Sequence, residues 1–211
     1  MTQDKGATRR RYDRLAGIYD LYDSPMDWLG GRKRRRRVLA RARGRVLEVG
    51  VGTGRNLGHY PNGIELTGLD LSFQMLGRAA SRAAARGNHA PLVHGNAEAL
   101  PFPDASFDTV AATCVFCSVD DPVQGLAEIR RVVRPGGQVL LLEHVRPRGR
   151  VLGWLFDRLS PLVRRVLGPA INRRTEENID AAGLTIVDVR RDGIWREIVA
   201  SATSTPADQP S

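Results

Sequence analysis

"LEVGVGTGRN", Leu47 to Asn56, is the stretch on which the reading of this chain turns. An apolar run ends in glycines at alternate positions, Gly50, Gly52 and Gly54. Glycine reaches backbone conformations closed to other residues and lets another group approach the main chain closely. Such a turn after a strand opens a nucleotide-type site at the carboxyl ends of a parallel sheet. Spacing excludes two common variants. A dinucleotide fingerprint needs G-x-G-x-x-G, but position 55 is Arg55. A P-loop needs G-K followed by Ser or Thr, and the chain has none.

Outward from this turn, strands and helices alternate. "RVLEVG", "ELTGLDL", "PLVHGNA", "FDTVAATCVFCS" and "QVLLLEHV" read as five strands. Ser72 suits the N-cap of the helix "FQMLGRAASRAAAR", which Gly87 ends. "DPVQGLAEIRRVV" is a helix expected to stop at Pro135-Gly136-Gly137. After an amphipathic insertion comes the helix "RRTEENIDAAG", closed by Gly183. "LTIVDVRR" and "IWREIVAS" then form a hairpin around Asp192-Gly193. Repeated β-α-β units predict an α/β fold: a doubly wound, mostly parallel, seven-stranded sheet with N-terminal helices and a lid insertion after strand five. The expected divisions are 1–43 for an N-terminal helical cap and basic helix, 44–201 for the sheet domain with the insertion at 150–172, and 202–211 for a disordered tail.

The residues around the turn define its ligand. Glu48, two positions before Gly50, would repel a pyrophosphate and suits an ammonium group. Asp70 lies 20 residues past Gly50, at the end of the second strand, where an acid can hold both ribose hydroxyls. Asn96 and Ala97 follow the third strand, where a base would lie. A ribose, a positive charge and no pyrophosphate describe S-adenosylmethionine.

Composition sets limits. The 211 residues suit one domain, and no apolar run approaches the roughly 18 residues of a membrane span. The polar N-terminus is no signal peptide, so a cytoplasmic location is expected, with peripheral attachment at the inner membrane face. Cys114 and Cys117, placed on opposite faces of the fourth strand, are expected to be structural thiols, and no metal is expected. The net charge of +9 is concentrated in Arg32 to Arg37, in Arg146 to Arg150 and in pairs near Arg164 and Arg173. That pattern fits an anionic membrane surface, a nucleic acid or a solvated helix face.

"VLEVGVGTG", "GLDLS", "GNAEALPFPDASFDTV" and "RVVRPGG" resemble the class I S-adenosylmethionine-dependent methyltransferases with their Rossmann-like fold, over about Tyr12 to Val199. "YDRLAGIYDLYD", "VFCSVDDP", "LLLEHVRP" and "NRRTEENI" are similar to the branch of bacterial phosphatidylethanolamine N-methyltransferases, with ubiquinone/menaquinone C-methyltransferases and lipid-associated thiol methyltransferases as relatives. The resemblance implies that Glu48, Gly50, Gly52 and Gly54 hold the methionine part of the cofactor and Asp70 its ribose. Leu71 and Met75 would line the adenine, Asn96 and Ala97 would meet its amino edge, and Cys114 and Val115 would pass beneath. Tyr19 would cap the methionine end. S-adenosylhomocysteine would be the product.

Alignment and a dry site are what methyl transfer asks of a protein, and an amine acceptor also needs a proton acceptor. His144 is the favoured residue, with Glu143 and Tyr19 as the other candidates. Adjacent strand residues face opposite ways, so one of Glu143 and His144 is expected to point into the site. The insertion "VLGWLFDRLSPLVRRVLG" has a broad apolar face near Trp154, punctuated by arginines. It reads either as a lid touching a lipid interface or as a helix pair packed on the sheet. Arg34, Arg35, Trp154, Arg158 and Arg173 are the expected substrate or membrane contacts. N-methylation of phosphatidylethanolamine leads. A quinone precursor, a thiol or a small specialised metabolite is the alternative acceptor. An RNA-directed enzyme ranks below these, because "VFCSVDDP" lacks the prolines and aromatic of base-directed amino methyltransferases.

Overall fold

A computed structural model describes residues 10, 13, 30–144, 158 and 175–202 of the chain. The elements are α1 (Arg32–Leu39), β1 (Arg45–Val49), β2 (Glu65–Asp70), α2 (Phe73–Ala84), β3 (Leu92–His94), β4 (Phe107–Thr113), α3 (Pro122–Val132), β5 (Val133–His144), α4 (Thr175–Ala181), β6 (Leu184–Asp192) and β7 (Trp195–Ala202). They build one seven-stranded sheet in the order β3-β2-β1-β4-β5-β7-β6. β7 alone runs antiparallel, inserted between β5 and β6 through the Asp192-Gly193 hairpin. The doubly wound reading from sequence is the observed fold.

Strand alternation divides the core into two layers. Leu47, Val49, Val110, Ala112, Val139 and Leu141 face α3 and α4. Val46, Ala111, Leu140 and Leu142 face α1 and α2. Both faces of the central strands are therefore apolar, as a covered parallel sheet requires. Ser72 caps α2 by accepting from the Met75 N–H at 3.2 Å, and Asp121 caps α3 by accepting from the Gln124 N–H at 3.0 Å.

Three boundaries differ from expectation. β4 ends at Thr113, because Cys114 turns left-handed with φ 58°. Cys114 and Cys117 therefore lie in the turn that follows rather than on opposite faces of a strand, and both are free thiols. Pro135-Gly136-Gly137 does not follow α3 as a stop. α3 gives way to β5 at Val133, and the triplet forms an irregularity inside β5, between the residues paired with Phe107 and Thr109. α1 ends at Leu39, short of the expected Arg43. Tyr19, Trp154 and Arg173 lie outside the described residues, as does the insertion apart from Arg158, which is helical and exposed.

The basic helix is turned inward along much of its length. Arg34 pairs with Asp192 and lies over the Trp195 ring, 5.6 Å from its centroid. Arg37 forms a two-point pair with Glu197, including Nε to Oε2 at 2.6 Å, and Arg41 meets Asp188 at 2.8 Å. Arg35 is buried, 6% exposed. Arg34, Arg35 and Arg37 are thus engaged with the β6–β7 hairpin and the sheet. Arg32, Lys33 and Arg36 remain exposed.

Glu197 is 8% exposed, so removing its partner strands a charge in a poorly hydrated place. Arg37→Ala is expected to cost about 2 kcal/mol, less than a fully buried pair because Arg37 is itself partly solvated. Arg36→Ala should stay within about 0.5 kcal/mol of the parent. Urea unfolding of the two variants checks the contrast.

Candidate functional site

The carboxyl ends of β1, β2, β3 and β4 surround one cleft. β1 leads into the glycine turn, whose three glycines all take positive φ: Gly50 69°, Gly52 55° and Gly54 79°. A Cβ on Gly50 would sit 2.4 Å from Val115 Cγ2. One on Gly52 would meet nothing within 4 Å, so this backbone faces open space in the cleft. Gly54 instead lets the turn press on α2, where a Cβ would lie 3.1 Å from Ala79 Cα. Gly52 is therefore the glycine whose backbone is open to the cleft.

Asp70 binds the turn to the end of β2. Its Oδ2 accepts from the Gly52 N–H at 2.8 Å and its Oδ1 from the Ser72 N–H at 2.9 Å. Burial pushes its carboxyl up, and these backbone donors oppose the rise. Lone pairs remain for ligand hydroxyls. Leu71 and Met75 line the cleft beside it, and Asn96 and Ala97 line its far end. The Asn96 Oδ1 accepts from the Glu98 N–H at 3.0 Å, which sets the loop after β3. Arg131 braces that loop by donating to the carbonyls of Leu100 and Phe102. Cys114 and Val115 line the β4 side.

Glu48 is placed differently from its expected role. It is 1% exposed and is not among the residues lining the cleft. Its Oε1 accepts from Asn56 Nδ2 at 2.7 Å and its Oε2 from the Tyr60 hydroxyl at 3.1 Å. Asn56 Nδ2 also donates to Thr113 Oγ1 at 2.9 Å, which accepts from Arg35 Nη1 at 2.6 Å. Glu48 thus anchors a buried polar cluster behind the turn.

Glu143 and His144 point to opposite faces of the sheet, and neither lines the cleft, contrary to the expectation that one would. Glu143 is fully buried, and its Oε1 accepts from the N–H groups of Val115 at 2.9 Å and Phe116 at 3.0 Å. Burial raises its pKa. It holds Val115, the side chain that closes over Gly50. His144 packs on Trp195, with ring centroids 4.8 Å apart, and hydrogen-bonds with the Cys117 thiol.

Thr113, Glu98, Ser118 and Asp120 also line the cleft and escaped the sequence reading. Thr113 carried a usable signal, as a hydroxyl at the end of an apolar strand beside the glycine turn. Arg35, Asn56 and Tyr60 carried none, because only folding brings them to Glu48. No Lys or Arg is among the residues lining the cleft, while Asp70, Glu98 and Asp120 are. That donor set suits a cationic nucleoside and opposes a polyphosphate. With the open face at Gly52, it fits S-adenosylmethionine. No cluster of metal-ligating side chains occurs among the described residues.

Burial raises the Glu48 carboxyl to about 7, against the lowering effect of Asn56 and Tyr60. Between its ordinary 4.5 and about 7, the folded chain keeps a proton that the unfolded chain has lost. Stability therefore falls as pH rises through this window. Glu48→Gln removes that dependence. Variant stability minus parent stability should grow by about 3 kcal/mol between about pH 4 and pH 8. Urea unfolding at both ends measures it, and a flat difference would mean an ordinary carboxylate.

Residues 47–141 match the family described as "Methyltransferase domain". The chain is 39% identical over 140 residues to a phosphatidylethanolamine N-methyltransferase of Cereibacter sphaeroides, covering 65% of this chain and 68% of that protein. It is 37% identical over 162 residues to a demethylmenaquinone methyltransferase of Deinococcus radiodurans, covering 73% and 67%. The crystal structure of the YcgJ protein from Bacillus subtilis superposes with a TM-score of 0.62 at 26% identity, over 74% of this chain and 69% of that one. With the glycine turn, Asp70 and the carboxylate-lined cleft in place, the chain belongs to the S-adenosylmethionine-dependent methyltransferases.

Proposed function

We propose that this methyltransferase acts on the amine of a phospholipid ethanolamine head group, yielding its methylated derivatives. The observation that carries the reading is the 39% identity to a phosphatidylethanolamine N-methyltransferase across the cofactor domain. The bound cofactor supplies an activated methyl, which passes to the acceptor lone pair as the carbon–sulfur bond breaks and a neutral thioether leaves. The chain's part is to hold the donor at the glycine turn and Asp70, to exclude water, and to receive the acceptor's proton. An ammonium has no lone pair, so the amine must lose a proton before it attacks.

His144 stands outside the cofactor cleft, at the carboxyl end of β5 on the face that carries Trp195 and Arg34, and is the proposed proton acceptor for a substrate bound beside it. Tyr19 as aromatic wall and the insertion at 150–172 as lid, which lie outside the described residues apart from Arg158, complete the proposal. Exposed Arg32, Lys33 and Arg36 replace Arg34 and Arg35 as the proposed contacts with an anionic bilayer, and Arg158 joins them from the insertion. Among the described residues no helix is long and apolar enough to cross a membrane. Methylation of a quinone precursor is the second reading. It is favoured by matches to quinone methyltransferases that extend over 73% to 83% of the chain.

Expression in a host lacking phosphatidylcholine, followed by lipid mass spectrometry, should show mono-, di- and trimethylated ethanolamine lipids. Methylation of a quinone precursor without any of these would replace the lipid reading. His144→Ala should lower turnover about 100-fold while cofactor affinity stays near the parent's. Co-sedimentation with anionic vesicles should weaken with salt and on replacing Arg32, Lys33 and Arg36 by Gln. Equal binding to neutral vesicles would assign those charges to solvent.

A further inference from the structure

Thr113 ends β4 at the cleft, is 7% exposed, and lies beside the β1 end. Its hydroxyl oxygen has two lone pairs and one proton. Arg35 Nη1 donates to it at 2.6 Å and Asn56 Nδ2 at 2.9 Å. Arg35 can only donate, and it also approaches Asn56 Oδ1 at 3.5 Å, which fixes the orientation of that amide. Both lone pairs of Thr113 are therefore filled. Among the described residues nothing accepts its hydroxyl proton, and Thr113 lines the cleft.

We propose that Thr113 is a carboxylate-binding residue for the methionyl end of the cofactor, with the buried Arg35 as the positioning residue that turns its hydroxyl toward the ligand. The proposal rests on the cofactor assignment and is independent of the acceptor. Strand order supplies the placement. Asn96 follows β3 and Asp70 ends β2, so base and ribose occupy that half, and the amino-acid end falls at β1 and β4. A hydroxyl whose lone pairs are filled cannot serve an ammonium, but it can donate to a carboxylate. The need is electrostatic as well. Asp70, Glu98 and Asp120 line the same cleft and oppose a ligand carboxylate, and the Arg35 cation one hydrogen bond behind Thr113 offsets them. Arg35 is thereby assigned to the cofactor rather than to the membrane.

The test compares S-adenosylmethionine with decarboxylated S-adenosylmethionine, which lacks only the carboxylate, by calorimetry. The parent should bind the intact ligand about 10-fold or more tightly than the decarboxylated one. Thr113→Val should remove most of that preference by weakening only the intact ligand, Arg35→Met should reduce it, and Thr113→Ser should keep it. A parent without the preference overturns the proposal, and that measurement needs no variant to fold. Equal weakening of both ligands by Thr113→Val overturns it too, leaving Thr113 a structural residue. A parent that binds neither ligand overturns the proposal together with the cofactor assignment.

Discussion

A cation and an acid sealed behind the glycine turn set the constraint on which the site depends. Arg35 and Glu48 are 6% and 1% exposed. Buried ionisable groups are tolerated only when their hydrogen-bonding capacity is met. Here Asn56 and Tyr60 donate to Glu48, and Thr113 and Asn56 accept from Arg35, from the segment after the glycine turn and from β4. Satisfying the two groups draws α1 onto the sheet, folds the chain after the turn back over β1, and fixes the end of β4. The glycine turn is held from beneath by this cluster, from the side by Asp70, and from above by Val115.

The same economy governs the basic helix. A run of arginines suggests a surface for polyanions, yet Arg34, Arg37 and Arg41 meet Asp192, Glu197 and Asp188 of the β6–β7 hairpin. α1 and the residues just after it therefore hold both strands of the hairpin, β6 through Asp188 and Asp192 and β7 through Glu197. On the opposite face of the hairpin, Arg196 donates to Glu176 of α4 and to the Gly193 carbonyl. These four arginines are held in ion pairs, and the cleft itself is lined by the carboxylates of Asp70, Glu98 and Asp120.

At the end of β5, alternation along the strand separates Glu143 from His144. Glu143 is drawn under the β4 turn by two backbone donors, which makes it a support for Val115 and the turn. His144 shares the other face with Trp195 and Arg34, an aromatic and cationic corner at the strand end. Strand alternation, legible in the sequence, said that the two face opposite ways, and the tertiary structure decided what each face meets.

The sequence by itself determined the fold class, the order of the strands along the chain, the Ser72 cap, the hairpin turn at Asp192-Gly193 and the glycine turn with Asp70 and Asn96. These follow from local rules: side-chain period, capping chemistry and the backbone freedom of glycine act within a few residues. Only the tertiary structure decided that β4 stops at Thr113, that Glu48 stands behind the cleft rather than in it, and that Arg35 faces inward. The physical reason is that hydrogen-bond partners of buried charges come from distant segments. Arg35 and Thr113 are separated by 78 positions, and nothing local to either residue records that the other will be there.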